Sequence, residues 1–201
     1  MLKIISGTYR SRRLIEPGPH ESSRPYSNRA KESIFNHLRG WLDDAHVLDL
    51  FAGVGTMGLE AISRGAKEVL MVEQNLDTFK RLRENIETLG CTDRANAMNG
   101  DALAQACLFR APQPVQIVFV DPPYSLMRAE GSRERVMAQV AVCRTVMDKK
   151  GWLILRTPMP PDGLDLAVDG FDGPEAHQMG AGMWVLFYAV KEDDPGNDPE
   201  G

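Results

Sequence analysis

The stretch Val47-Leu48-Asp49-Leu50-Phe51-Ala52-Gly53-Val54-Gly55-Thr56-Met57-Gly58 decides the fold. It joins a short apolar run to a glycine-rich turn and then to residues of helical periodicity, the pattern of a buried strand feeding a helix. Glycines at 53 and 55 let a ligand come close to the backbone, and the helix that follows offers free amides near its start. Downstream, Val69-Leu70-Met71-Val72-Glu73 repeats the strand pattern, and Leu76, Phe79, Leu82, Ile86 and Leu89 mark a helix by their spacings of three and four. Residues 95–98 read as a weaker strand, 101–109 as a helix, and Val115–Val120 as a fully buried strand. Val136, Val140, Cys143 and Met147 place another helix before the strand Trp152-Leu153-Ile154-Leu155. Such alternation predicts an α/β fold with a parallel, doubly wound sheet and helices on both faces. Residues 164–168 and Met183–Val190 are expected to close it as an antiparallel pair.

Upstream of the first strand, residues 2–6 and 14–15 flank the Gly7-Thr8 turn signal, and the spacing predicts a short β-hairpin. A loop rich in Pro and Ser follows. Ser27 or Asn28 then caps a helix over 29–42 that carries Ile34, Phe35, Leu38, Trp41 and Leu42 on one face. The organisation that results is an N-terminal basic extension over 1–43, a core over 44–190, and an acidic tail over 191–201 whose composition predicts disorder.

With 201 residues, 43% of them hydrophobic and 25% charged, the chain is long enough for one sizeable core. Cys91, Cys107 and Cys143 are odd in number and widely spaced, which suggests neither a disulfide framework nor a zinc site. His20, His37, His46 and His177 form no cluster in sequence. No apolar leader segment precedes Arg10-Ser11-Arg12-Arg13 and no run is long enough to span a bilayer, so a reducing cytoplasm is expected. The formal net charge of −5 conceals an asymmetry, because residues 1–40 hold eight Lys or Arg against three acids. That segment can meet phosphates while the body stays acidic, although composition alone favours a solvated charged face.

Two sets of residues carry chemistry. Gly53-x-Gly55-x-x-Gly58 with Glu73 at the end of the second strand matches a dinucleotide fingerprint, which keeps a nicotinamide-dependent enzyme open. Asp49 opposes that reading: its carboxylate beside the turn repels a pyrophosphate and suits the ammonium and sulfonium ends of S-adenosylmethionine. Glu73 is placed to accept from both ribose hydroxyls, and Asp101 either binds an adenine amino group or caps a helix. Phe51, Ala52, Gln74 and Ala102 adjoin these groups and complete the candidate cofactor set. The second set is Asp121-Pro122-Pro123-Tyr124. Two prolines after a buried strand hold a rigid loop at the carboxyl edge of the sheet, where ligands bind in such folds. If Asp121 and the Pro122 carbonyl accept the hydrogens of an exocyclic nucleobase amine, its lone pair turns toward an incoming methyl group. Tyr124 offers a flat face for an extruded base. Neither a metal nor a covalent nucleophile is needed for such a transfer.

Three segments together resemble the RsmD-type family of 16S rRNA guanine-N2 methyltransferases. They are Arg24-Pro25-Tyr26-Ser27-Asn28-Arg29-Ala30-Lys31-Glu32-Ser33-Ile34-Phe35-Asn36, the turn over 48–58 with Glu60-Ala61 and Ser63-Arg64-Gly65-Ala66 behind it, and Asp121-Pro122-Pro123-Tyr124. The resemblance implies a class I S-adenosylmethionine-dependent methyltransferase with a Rossmann-like sheet and a hairpin-plus-helix extension. It implies a cytoplasmic monomer acting on a guanine of 16S rRNA, within an assembling small ribosomal subunit, and it makes Arg10, Arg12, Arg13, Arg24 and Arg29 candidate RNA contacts. Tyr26 departs from the Thr usual in the family, and Arg156-Thr157 stands where the family has an acidic residue. The competing readings are adenine-N6 or cytosine-N4 methylation of DNA or another RNA, a silent assembly factor, and the nicotinamide enzyme.

Overall fold

The computed structural model describes residues 2–18 and 26–191. Its elements are α1 (Asn28–His37), β1 (His46–Leu50), α2 (Thr56–Ser63), β2 (Glu68–Glu73), α3 (Leu76–Leu89), β3 (Ala95–Asn99), α4 (Ala106–Phe109) and β4 (Val115–Val120). After these come α5 (Tyr124–Arg128), α6 (Glu130–Cys143), β5 (Met147–Thr157), β6 (Phe171–Gly180) and β7 (Met183–Val190). They build a seven-stranded sheet of order β3-β2-β1-β4-β5-β7-β6. The first five strands are parallel, and β7 runs antiparallel to both β5 and β6.

The continuous apolar runs of β1, β2 and β4 follow from burial on both faces. Alternate residues feed two cores. Val47, Val69, Ile117 and Ile154 pack under α1, α2 and α3, whereas Leu48, Leu70, Val118 and Leu153 pack under α4 and α6. Each such side chain contributes about 1.5–3 kcal/mol by leaving water. Cys91, Cys107 and Cys143 are free and buried, so all three are packing residues. Among the described residues, no helix is long and apolar enough to cross a membrane.

Several boundaries differ from the sequence expectation. Helix α1 ends at His37, because the chain tightens there: the Trp41 amide donates to the Leu38 carbonyl (3.0 Å), and Trp41 emerges at the surface. The helix expected from residue 101 begins only at Ala106, since the Asp101 carboxylate accepts from the Leu103 amide (2.9 Å) and holds a turn. The strand pairing with β7 is β6, not residues 164–168. In that segment Leu166 and Val168 fill the core as irregular chain, and the Tyr188 hydroxyl donates to the Leu166 carbonyl (2.9 Å). Strand β6 was illegible because its mostly exposed, polar sequence lacks an apolar face. The N-terminal hairpin is present in reduced form: one antiparallel bridge joins Lys3 to Arg13, and the Ile4 amide donates to the Arg12 carbonyl (3.0 Å).

That hairpin is seated on α2. A side chain at Gly7 would place its Cβ 1.7 Å from the Ser63 carbonyl oxygen, so only glycine permits the approach. The Glu60 carboxylate accepts from the Ile5 (2.8 Å) and Ser6 (3.0 Å) amides and from Arg64 Nε (2.8 Å), with Lys31 Nζ at 3.8 Å. Lys31 also donates to the Lys3 carbonyl (2.9 Å), so hairpin, α1 and α2 meet at one buried charge cluster. Arg24 and residues 192–201 of the acidic tail lie outside the described residues. Lys191, the first residue expected in that tail, is still tied to the sheet through its amide and the Gly170 carbonyl (3.0 Å).

Candidate active site

Parallel register brings the candidate residues to one edge. Leu50 pairs with Val72 on one side and Val120 on the other, so the chain turns that follow β1, β2 and β4 emerge together. The Asp121 amide donates to the Leu50 carbonyl (3.2 Å), which fixes the Asp-Pro-Pro loop against the glycine turn. Asp49, Glu73 and Asp121 therefore share the carboxyl edge, and Asp101 follows β3 there. Phe51 opens the turn with φ +62°, a left-handed conformation that a bulky residue adopts only where its surroundings enforce it.

Asp49 is 1% exposed, and its Oδ2 accepts from the Gly58 amide (2.9 Å) at the start of α2. A Cβ on Gly58 would lie 2.6 Å from Met71 Cγ and 3.1 Å from that same carboxylate oxygen, so the third glycine is needed for close packing. Burial pushes the Asp49 carboxyl up to about 8, with Gly58 pulling the other way and Asp121 and Glu73 adding to the rise. Glu73 accepts from the Gly53 (2.9 Å) and Asn75 (2.7 Å) amides, so its carboxylate faces the turn. Among the described residues other than its chain neighbours, none has an atom within 4 Å of a Cβ position on Gly53, so they leave the space over the turn open. Gln74 is exposed and Ala102 is buried; Asn99 Nδ2 donates to the carbonyls of Glu73 (2.9 Å) and Gln74 (3.1 Å), bracing the ends of β2 and β3.

In the Asp-Pro-Pro loop Pro122 is buried and Pro123 exposed. Pro123 accepts from the Leu126 amide (2.9 Å), which starts α5, whereas no hydrogen bond to the Pro122 carbonyl occurs among the described residues. Burial pushes the Asp121 carboxyl up to about 6 against the pull of Arg156, whose Nε is ion-paired with Asp121 Oδ1. The Arg156 guanidinium also lies over the rings of Tyr26 (4.4 Å to the centroid) and Tyr124 (5.3 Å), and Arg128 lies over Tyr124 at 5.9 Å. A base stacking on that same face of Tyr124 must therefore exchange with arginine.

Sequence reasoning named Tyr26 and Arg156 only as departures from a family pattern, yet they meet at Asp121. It also missed Asn85 of α3, which accepts from the Ile15 amide (2.8 Å) and donates to the Val54 carbonyl (2.9 Å), joining the extension to the glycine turn. Of the RNA candidates, Arg10, Arg12, Arg13 and Arg29 are all exposed, and Arg12 Nη2 also donates to the Thr88 carbonyl (3.0 Å), which helps dock the hairpin on α3. A cleft of about 510 Å³ between hairpin and α1 is lined by Arg10, Arg39 and Arg64 together with Glu32 and Asp43, and by no residue of the Asp-Pro-Pro loop. His37 and His177, unrelated in sequence, come together with Glu175; His177 bonds Glu175 (2.7 Å) and His37 stacks on Phe187 (4.1 Å between centroids).

Fold and site together define a class I methyltransferase. The chain belongs to the family described as conserved hypothetical protein 95, whose model matches residues 2–173. It is similar to the ribosomal RNA small subunit methyltransferase D of Haemophilus influenzae, 35% identical over 133 residues that cover 64% of this chain and 67% of that protein. The protein of the same name from Escherichia coli is 37% identical over 123 residues, 61% of this chain and 60% of that protein. Among solved structures, Escherichia coli yhhF superposes with a TM-score of 0.77 at 27% identity, covering 96% of this chain and 99% of that one. These likenesses agree with the RsmD-type resemblance carried by the sequence.

Proposed function

We propose that this chain methylates the exocyclic N2 amine of a guanine in 16S rRNA, with S-adenosylmethionine as donor. The observation that carries the reading is the convergence of Asp49, Glu73 and Asp121 on one sheet edge, with the Pro122 carbonyl beside Asp121. The donor fits the residues present. Asp49 is a buried carboxyl held half-ready to ionise, which favours a cationic ligand, and Glu73 lies at the open turn where ribose hydroxyls are received. When bound, the donor supplies an electrophilic methyl group on a sulfonium.

The chain's own residues do the rest. Asp121 and the Pro122 carbonyl accept the two amine hydrogens and orient the nitrogen lone pair, which is catalysis by positioning. The Asp121 carboxylate stabilises the positive charge that grows on nitrogen and holds the proton the methylated amine sheds. Tyr124 supports the base by stacking. Arg10, Arg12, Arg13 and Arg29 face solvent on the extension and meet RNA phosphates, an attraction that weakens as salt rises; Arg24 joins them by its place in the sequence. The protein works as a monomer in the cytoplasm on RNA of the assembling small subunit, and its direct displacement chemistry requires no metal.

The deciding experiment is nucleoside mass analysis of small-subunit rRNA from a strain lacking the gene, with and without a plasmid copy. The N2-methylguanosine at one position is expected to vanish and return. An unchanged profile, or loss of a methylated adenine or cytosine instead, overturns the guanine assignment.

A further inference from the structure

Arg156 occupies a place that its charge alone does not explain. Its side chain is 5% exposed at the end of β5, where most residues are apolar and face the two cores. A buried guanidinium is costly unless it is paired and stacked, and contacts with three of the described residues help offset that cost. Arg156 Nε is ion-paired with Asp121 Oδ1, and the guanidinium lies over the rings of Tyr26 and Tyr124. Tyr26 comes from the segment before α1, Tyr124 from the start of α5, and Asp121 from the loop after β4. Arg156 thus joins the extension to the catalytic loop.

We propose that Arg156 is a positioning residue that keeps Asp121 ionised, engages one of its oxygens, and so leaves the other oxygen turned to the substrate amine. This rests on the amino-methyltransferase reading above. The chemistry requires it, because a protonated carboxyl donates a hydrogen where the amine needs an acceptor. Burial works against ionisation here. Among the described residues, the charged and titratable groups facing Asp121 are Arg156 of β5, Asp49 of β1, Tyr124 of α5 and Tyr26, and Arg156 is the one cation of these. Asp121 accordingly titrates near 6, low enough to be an acceptor at neutral pH and high enough to take up a proton after transfer. Tyr26 and Tyr124 hold the guanidinium in place by cation–π contact, which a flexible ammonium would exploit less well.

Loss of Arg156 should raise the Asp121 pKa by on the order of one unit or more, as expected for removing an opposite charge at contact. The test compares wild type with Arg156→Gln and Arg156→Lys in two measurements. Titration of the Asp121 carboxyl followed by 13C NMR on the ligand-free protein, assigned through Asp121→Asn, reads the charge directly. The pH profile of methyl transfer to small-subunit RNA reads its consequence. In Arg156→Gln both midpoints are expected to move up together, with activity partly restored at high pH. In Arg156→Lys they are expected to stay near wild type while kcat falls severalfold. An unmoved NMR midpoint in Arg156→Gln overturns the inference, as does a loss of activity by the same factor at every pH. Wild-type protein that titrates as described but transfers no methyl group would refute the functional reading and leave the ion pair intact. Should Arg156→Gln fail to fold, the Tyr26→Leu variant answers instead: it removes one ring from the guanidinium and is expected to shift the midpoint in the same direction by less, and no shift overturns the inference.

Discussion

Two buried charge clusters lie within one molecule and are treated in opposite ways. At the joint of the extension, fully buried Glu60 receives two backbone amides, Arg64 Nε and, at longer range, Lys31, so its charge is met on every side. At the carboxyl edge of the sheet, among the described residues, Asp49 has a single backbone donor in Gly58 and Asp121 is paired with Arg156 alone; both carboxyls are pushed up, to about 8 and about 6. A carboxylate whose partners match its charge makes a joint. One left short of partners remains available for a cationic ligand and for a proton.

The comparison breaks most severely at Asp121. Asp121→Ala is expected to lower kcat per folded molecule by roughly 10²–10⁴-fold, and to cost stability as well because it leaves the buried Arg156 without its carboxylate; single-turnover assays on the folded fraction beside urea melts check this, and substantial activity in the variant contradicts the role. Glu60→Ala should cost stability alone. It strands Lys31 and two amides in the core and is expected to cost about 3–5 kcal/mol of stability, with turnover per folded molecule retained, as read from chemical denaturation and activity below the transition.

Asp49→Asn sharpens the contrast through pH. A carboxyl whose folded pKa lies above its unfolded value favours the folded state fully at low pH, and that advantage is lost as pH rises from about 4 through about 8. The variant is therefore expected to match the wild type in acid and to be the more stable near pH 8, by on the order of a few kcal/mol. Its affinity for S-adenosylmethionine should be weaker and nearly flat in pH, whereas wild-type affinity climbs toward pH 8 as Asp49 ionises; calorimetry across that range decides it. The smallest effect is Ser27→Ala. Ser27 Oγ accepts from the Ala30 amide (3.1 Å) and caps the helix that carries Lys31, so its loss should cost about 1 kcal/mol, measured by denaturation.

The catalytic edge was more legible in the sequence than the joint. Strands β1, β2 and β4 announce themselves as apolar runs, and the glycines with Asp49, Glu73 and Asp121 follow each run at once, so local pattern places them. Nothing in the local pattern around Lys31 and Glu60 marks them as buried, and only tertiary packing closes the core over them. Tyr26 and Arg156 stand 130 positions apart, and nothing local says they touch. The segment 26–36 carries family identity, yet in the fold Tyr26 walls the site while Ala30, Lys31, Ile34 and Phe35 are buried. Its signature is packing more than RNA contact. Strand β6 was lost for a different reason: an exposed edge strand needs no apolar periodicity, so period-based reading has nothing to detect.

The seat of the hairpin on α2 also orders events in time. Its bonds to Glu60 and Ser63 connect residues 54 to 57 positions apart, so closing them costs chain entropy that only an already formed α2 can offset. The hairpin is thus among the later parts to settle. During synthesis the basic extension must wait for the glycine turn and its helix to leave the ribosome before it docks, and in native-state hydrogen exchange it should open ahead of the sheet.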